Sequence, residues 1–179
     1  MTPFGVCCAD VIMMRRSGLA YAADTEVPSD RTIAEIKTLV TRHGATGYLY
    51  AESPSQAMIM FELRGRQIKF VVPLPDRNAR EFTRTPARGF QRSEAEAIKA
   101  WEQATRTRWR ALLLVIKAKL EAIAIGVGTF EDEFLANTLL PGGRTGSEWV
   151  QAQGEKAYIE GHVPPMMPLL GAGGCRDNG

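Results

Sequence analysis

Residues 57–74 read AMIMFELRGRQIKFVVPL, two runs of alternating side chains separated by Arg-Gly-Arg. Neighbouring side chains of a strand point to opposite faces, so the alternation predicts two antiparallel strands joined by a tight turn at Gly65. One face of this hairpin is predicted to carry the core side chains Ile59, Phe61, Leu63, Ile68, Phe70, Val72 and Leu74. An apolar sheet face needs other elements to cover it, and the hairpin therefore sets the fold class.

Elements that can complete this hairpin lie on both sides of it in the sequence. Residues 48–50, Tyr-Leu-Tyr, extend it to a three-stranded meander, and an N-terminal helix precedes them with Ser29 or Asp30 as its predicted cap. A capping-box pattern at Ser93 begins a second helix that is predicted to run to about Ile125. We therefore predict an α+β fold: an N-terminal helix, a three-stranded antiparallel meander, a long helix and short C-terminal helices.

The chain of 179 residues is predicted to form one domain with an extension at each end. Residues 1–24 are expected to be a disordered extension, and residues 25–161 form the single α+β domain. Residues 162–179 are rich in proline and glycine and are expected to be a disordered tail.

Composition excludes several classes of site and leaves the charge nearly balanced. The net charge is +2, with two histidines and three cysteines, Cys7, Cys8 and Cys175. No CxxC pattern is present, so the sequence predicts neither a disulfide framework nor a metal site, and it indicates no cofactor. Reduced cysteines favour a cytoplasmic location. No run of eighteen apolar residues occurs in the sequence, so no membrane span is expected.

Arginines are concentrated between the meander and the long helix, where residues 76–92 are predicted to be a long loop. Regularly spaced arginines on such a segment can contact successive phosphates. The predicted nucleic-acid-binding residues are the loop arginines Arg77, Arg80, Arg84, Arg88 and Arg92, the hairpin-tip arginines Arg64 and Arg66, and Tyr48 and Tyr50 as surfaces on which bases stack. The first hypothesis is therefore an accessory protein that binds single-stranded DNA or RNA.

A protein-binding module is the alternative that the hairpin itself suggests. Met58, Met60 and Val71 lie on the face opposite the predicted core, and a solvent-exposed sheet face should not carry them. The C-terminal helices or a second copy of the chain would have to cover them, so the sequence is compatible with a homo-oligomer. The partner would be another protein, with the chain acting as its inhibitor or as an assembly partner.

A metal-dependent nuclease is the distant alternative, and no catalytic residue is predicted. The order helix, three strands, helix matches the core of restriction-enzyme-type nucleases, which need an acid-x-Lys pattern on the third strand. Gln67-Ile68-Lys69 lacks the acid. The acidic run Glu131-Asp132-Glu133 is explained by the favourable dipole at a helix N-terminus. The tryptophans Trp101, Trp109 and Trp149 are predicted core residues.

Seven short segments together resemble a family of small proteins encoded by bacteriophages and prophages. They are residues 22–28, 72–76, 81–86, 99–104, 109–112, 117–122 and 129–135. The resemblance covers roughly residues 22–150 and leaves out both ends of the chain. It implies a phage or prophage context, in which the protein partner would be a host or phage protein and the chain an inhibitor of a host system or an assembly partner. It implies no particular chemistry.

Overall fold

The structure is a computed structural model, and it describes residues 21–86 and 88–160. Its elements confirm the predicted α+β fold and its order. In chain order they are α1 (Ser29–Arg42), β1 (Gly47–Glu52), β2 (Gln56–Leu63), β3 (Arg66–Pro73), α2 (Arg80–Thr83), α3 (Glu94–Ala124), α4 (Phe130–Phe134), a 3₁₀ turn (Leu135–Asn137) and α5 (Gly146–Glu160). The predictions made for residues 1–20 and 162–179 lie outside the described residues.

The three strands form an antiparallel meander in the order β1-β2-β3. The β2–β3 turn is made by Arg64 and Gly65, both with positive φ (52° and 70°), which is the backbone that a two-residue hairpin turn requires. The register places Ile59 opposite Phe70 and Phe61 opposite Ile68. The alternation in the sequence thus gives the buried face that was predicted, whereas the described C-terminal helices do not cover the opposite face, which leaves Val71 exposed.

Two helices cover the buried face and pack against each other. α1 contributes Ile36 and Val40, which are fully buried. α3 contributes Trp109, Ile116 and Leu120 along one stripe, as its three- and four-residue spacing predicts. Phe130 and Phe134 of α4 complete this core beside the β2–β3 hairpin, with Phe134 edge-on to Phe61 and Phe70.

The cap predictions have different outcomes at the two main helices. Ser93 accepts a bond from the backbone N–H of Glu96, and Glu96 accepts in return, so the predicted capping box begins α3. Neither Ser29 nor Asp30 caps α1. Its N-cap is Pro28, with no side-chain bond, and the N–H of Thr32 donates to the Pro28 carbonyl instead. The helix begins one residue earlier than those caps require, since Pro28 already has the extended backbone of a cap position.

The outer edge of β3 is covered by the segment that follows α4. Thr138 forms an antiparallel bridge with Ile68, and the N–H of Leu139 donates to the Gln67 carbonyl at 2.8 Å. The Asn137 amide donates to the carbonyl of Lys69 at 3.3 Å. Residues 137–139 therefore cover this edge through one isolated bridge and two hydrogen bonds, without adding a strand to the sheet.

Three further features differ from the sequence-based expectations. Residues 76–92 are a folded segment that contains α2, and they do not form an open loop. Trp149 is half exposed on α5 and lies outside the core that Trp109 helps to form. Residues 22–25 hold to α3, because Gln103 donates to the carbonyls of Ala23 and Thr25, so the domain begins before residue 25.

No helix in the described ranges has both the length and the apolar character needed to cross a bilayer.

Candidate functional site

The arginine-rich segment is held in one conformation by bonds between its own two halves. Arg84 and Gln91 form an antiparallel bridge, and the N–H of Arg92 donates to the Thr83 carbonyl at 2.8 Å. Thr85 closes the tip of this small hairpin, since its N–H donates to the Phe90 carbonyl at 2.8 Å and its Oγ1 accepts from the Phe90 N–H at 3.1 Å. A segment closed in this way can hold its side chains in fixed positions.

The arginine-rich segment packs against α3 through one buried aromatic ring. Two side chains of α3 also bond to the backbone of the residues just before the segment. Phe82 of α2 is buried, which fixes this short helix against α3. Trp101 Nε1 donates to the Pro75 carbonyl at 2.7 Å, and Arg108 donates to the carbonyl of Pro73. The N-terminal third of α3 therefore positions the arginines.

Between this segment and α3 lies a cleft of about 880 Å³. Four arginines line it, together with Pro86, Gly89, Gln103 and the single acidic residue Glu81; the arginines are Arg80, Arg84, Arg88 and Arg92. A second hollow of about 400 Å³ shares Arg92 and Gln103 with it and adds Lys99, Arg106 and Glu96. The two hollows form one continuous surface, which we call the arginine cleft.

The four cleft arginines differ in how far the protein already engages them. The side chains of Arg80 and Arg88 are exposed, and neither guanidinium makes a hydrogen bond or ion pair within residues 21–86 and 88–160. Arg84 Nη1 donates to the Gly89 carbonyl at 3.4 Å. Arg92 Nη1 donates to the carbonyl of Phe82 at 3.4 Å, so this guanidinium also ties the segment together. The first two arginines are therefore the ones available to a ligand without disturbing the fold.

Glu96, the acidic residue of the smaller hollow, is hydrogen-bonded at the N-terminus of α3. Ser93 donates to Oε2 of Glu96 through its N–H at 3.1 Å and its hydroxyl at 3.0 Å. These bonds and the nearby charge of Arg92 lower the pKa of Glu96 from its usual value. The carboxylate thus serves α3 as a cap and neutralises the arginine cleft only in part.

An exposed aromatic residue lies on the same small hairpin as these arginines but outside the residues that line the cleft, and the sequence reasoning missed it. Phe90 is 63% exposed and sits on the small hairpin between Arg88 and Arg92. Its backbone is bonded on both sides to Thr85, so the ring is presented to solvent from a fixed position. Residues 76–92 have no helical or strand periodicity, so the sequence does not indicate whether Phe90 is buried or exposed.

The two tyrosines predicted to stack on bases do not lie beside the loop arginines. The strand register pairs Tyr48 with Phe61 and Tyr50 with Ile59, so both tyrosines are on the covered face of the sheet. Tyr48 is half-buried, with Lys37 Nζ 5.9 Å from its ring centroid. Tyr50 donates to Glu52 and lies 6.0 Å from the ring of Trp109.

The remaining predicted arginines are spread over the molecule. Arg64 lies over the Phe130 ring at 5.6 Å and beside Ile123 at the C-terminal end of α3, and Arg66 follows it at the same hairpin tip. The arginine cleft is near Ala100, at the other end of the helix, so about 35 Å of helix separates the two groups. Arg77 is exposed but does not line the cleft. The structure therefore brings together Arg80, Arg84, Arg88 and Arg92 and leaves the others apart.

The predicted protein-interface residues lie where the alternation placed them, on the open face of the sheet. Val71 is 45% exposed, and Met58 and Met60 are partly buried between their neighbours. Leu49 of β1 pairs with Met60, is 50% exposed and belongs to the same patch, although the sequence reasoning did not include it.

Comparisons with known proteins find no relative of this chain. No protein-family description, no curated protein and no solved structure matches the chain. Within the described part of the chain, no group of three histidine, cysteine, aspartate or glutamate side chains is arranged to hold a metal ion.

Proposed function

We propose that this chain is a phage-type cytoplasmic accessory protein that binds single-stranded DNA or RNA in the arginine cleft. The observation that carries the proposal is the convergence of Arg80, Arg84, Arg88 and Arg92 on one concave surface, on which the described acidic residues are Glu81 and the cap residue Glu96. Guanidinium groups present several N–H donors in a plane and bind phosphate oxygens in pairs, so such a surface suits a phosphodiester chain.

The cleft is shaped to follow a backbone and offers no pattern for reading base sequence. Its charged groups come from residues 80–92 and from one face of α3, and the amide of Gln103 between them is already bonded to the carbonyls of Ala23 and Thr25. Each phosphate neutralised by an arginine releases condensed counterions, which gives affinity that falls with salt. We therefore expect affinity for nucleic acid with little dependence on sequence.

Phe90 supports a preference for single strands. Its ring is exposed on the hairpin that also carries Arg84, Arg88 and Arg92, and unpaired bases stack on aromatic rings with about 1–3 kcal/mol per base. The bases of a duplex are already stacked on each other and cannot do this without being unstacked. The combination of phosphate contacts and one stacking surface is typical of proteins that bind single strands.

Binding of a labelled single-stranded oligonucleotide, measured by anisotropy at two salt concentrations, tests the proposal. The test variant is Arg80→Gln with Arg88→Gln, because both side chains are exposed. Its matched control is Arg64→Gln with Arg66→Gln, which removes the same charge at the other end of α3. We expect the cleft variant to lose about tenfold or more in affinity. Its salt slope should fall by about 1.4, since each phosphate contact contributes about 0.7.

Two results of this experiment would contradict the proposal in different ways. Absence of binding by the wild type at low salt would overturn the function itself. An equal loss of affinity in the hairpin-tip control would show that the total charge of the protein matters and that the cleft is not the site.

Protein binding at the open face of the sheet is the second candidate function. The exposure of Leu49 and Val71 beside Met58 and Met60 favours it, because an apolar patch on a sheet face marks an interaction surface more often than a solvated one. Val71→Glu should abolish capture of a host or phage protein on this face while leaving nucleic-acid binding unchanged. Capture that is unaffected by Val71→Glu would remove this candidate.

A further inference from the structure

The two outer edges of the sheet are treated differently by this chain. The β3 edge is covered by the residues after α4, as described above. The β1 edge has no such cover within the described residues: β1 pairs only with β2, and no other segment bonds to its backbone. Its six residues, Gly-Tyr-Leu-Tyr-Ala-Glu, are mostly exposed and contain neither lysine nor proline. Those are the residues that natural proteins place on an edge to prevent pairing with another strand.

The backbone groups that point outward from β1 can be assigned from the strand pairing. Ser53 N–H donates to the Gln56 carbonyl at 2.8 Å, which makes this pair a hydrogen-bonded one. Hydrogen-bonded pairs alternate along an antiparallel ladder. Gly47, Leu49 and Ala51 therefore bond to β2, while Tyr48, Tyr50 and Glu52 direct their N–H and C=O groups to the free edge.

We propose that β1 pairs antiparallel with β1 of a second copy of this chain, around a two-fold axis at Tyr50, to give a six-stranded sheet. This is the register that uses all three outward residues, since Tyr50 then lies opposite Tyr50 and Tyr48 lies opposite Glu52. Opposed residues of two antiparallel strands point to the same face, so the open faces of both copies lie on the same side of the six-stranded sheet. The exposed patch of Leu49, Met58, Met60 and Val71 becomes continuous across the axis.

Charge complementarity supports a second copy as the occupant of this edge. Lys37 Nζ is 5.9 Å from the Tyr48 ring. A cross-strand neighbour has its Cβ about 5 Å away, so Glu52 from the second copy, whose carboxylate also accepts from its own Tyr50, comes near that lysine. The symmetry repeats the contact, and each dimer gains two Glu52–Lys37 pairs across the axis.

Sedimentation velocity of the full chain over about a hundredfold range of concentration tests this dimer. Leu49→Lys puts a charge at the centre of the paired edge and should raise the dimer dissociation constant about tenfold or more. Val71→Lys is the matched control: it adds the same charge to the same open face but on β3, away from the edge, and should change the constant by less than about threefold. A stronger effect of Val71→Lys than of Leu49→Lys would mean that the faces pack and the edges do not.

A charge exchange distinguishes this register from others. Glu52→Lys and Lys37→Glu should each weaken the dimer by about fivefold, and the double variant should restore it. Hydrogen exchange gives a second readout, because the amides of Tyr48, Tyr50 and Glu52 should become protected as concentration rises. A chain that is monomeric throughout the range, with these amides unprotected, would overturn the proposal. Failure of the exchanged pair to recover would overturn the register.

Discussion

Arg110 Nη1 on α3 lies 2.6 Å from Oε2 of Glu35 on α1, so an ion pair joins the two helices that cover the sheet. Glu35 also pairs with Arg31 within its own helix, at 3.4 Å. The first contact links distant parts of the chain and is partly buried, whereas the second is an exposed i,i+4 pair. The two contacts should therefore contribute differently to the free energy of unfolding.

Arg110→Gln should lower the free energy of unfolding by about 1 kcal/mol, because it removes a partly buried charged hydrogen bond between α1 and α3. Arg31→Gln is the control and should cost only about 0.3 kcal/mol, as expected for an exposed pair within a helix. Urea denaturation monitored by tryptophan fluorescence measures both. Equal losses in the free energy of unfolding would show that the interhelical ion pair stabilises the protein no more than the exposed pair within α1.

Tyr48→Phe should stabilise the protein by about 1 kcal/mol at neutral pH. The Tyr48 hydroxyl is buried and has no hydrogen-bond partner among the described residues, and an unsatisfied polar group costs free energy. Denaturation midpoints in urea give the difference. A destabilised Tyr48→Phe variant would mean that the hydroxyl is bonded in solution.

The same tyrosine gives a dependence of stability on alkaline pH. Burial raises the pKa of Tyr48 from 10.0 to about 12. The folded chain therefore holds this proton more tightly than the unfolded chain, and the corresponding stability is present below pH 10 and is lost as pH rises toward 12. Wild-type protein should lose more stability than Tyr48→Phe over this interval. Parallel loss in both proteins would contradict the raised pKa.

Ser93→Ala should cost about 1 kcal/mol and should loosen the first turn of α3, since it removes the capping box with Glu96. The contribution of Glu96 requires its carboxylate, whose pKa is lowered mainly by the bonds from Ser93. That contribution is present above the ordinary value of 4.5 and is lost as pH falls through the lowered pKa. Hydrogen exchange at residues 94–97 should be faster in the variant, and unchanged exchange there would contradict the role of the cap.

Phe90→Leu should lower the affinity for single strands by about five- to a hundredfold, which corresponds to one lost base stack. Phe90→Trp keeps an aromatic surface and should retain the affinity. Binding to duplex should be unaffected by either change, because it depends on the arginines alone. A variant that binds single strands as well as the wild type would remove the stacking role and leave the phosphate contacts standing.

The parts of the fold that the sequence predicted are those with a local pattern. Alternation with period two identifies β2 and β3 and their faces, and the capping pattern at Ser93 identifies where α3 begins. These signals are carried by neighbouring residues, so they survive without knowledge of the rest of the chain. The buried stripe of α3 is predictable for the same reason.

The candidate site was only partly predictable because tertiary contacts decide it. The buried Phe82 packs the arginine-rich segment against α3, and the spacing of residues 76–92 does not predict that contact. The direction in which α3 crosses the sheet separates Arg64 and Arg66 from the loop arginines. The β1–β2 register, which a three-residue pattern does not fix, turns Tyr48 and Tyr50 toward the helices.

Photocrosslinking tests the central claim, binding of single strands in the arginine cleft, most directly. A single-stranded oligonucleotide containing bromouracil is irradiated with the protein, and the crosslinked peptides are identified by mass spectrometry. We predict crosslinks within residues 80–92, with Phe90 the main attachment point and competition by unlabelled single strands. Crosslinks that map to the hairpin tip at residues 64–66 or to Tyr50, with none in residues 80–92, would contradict the account.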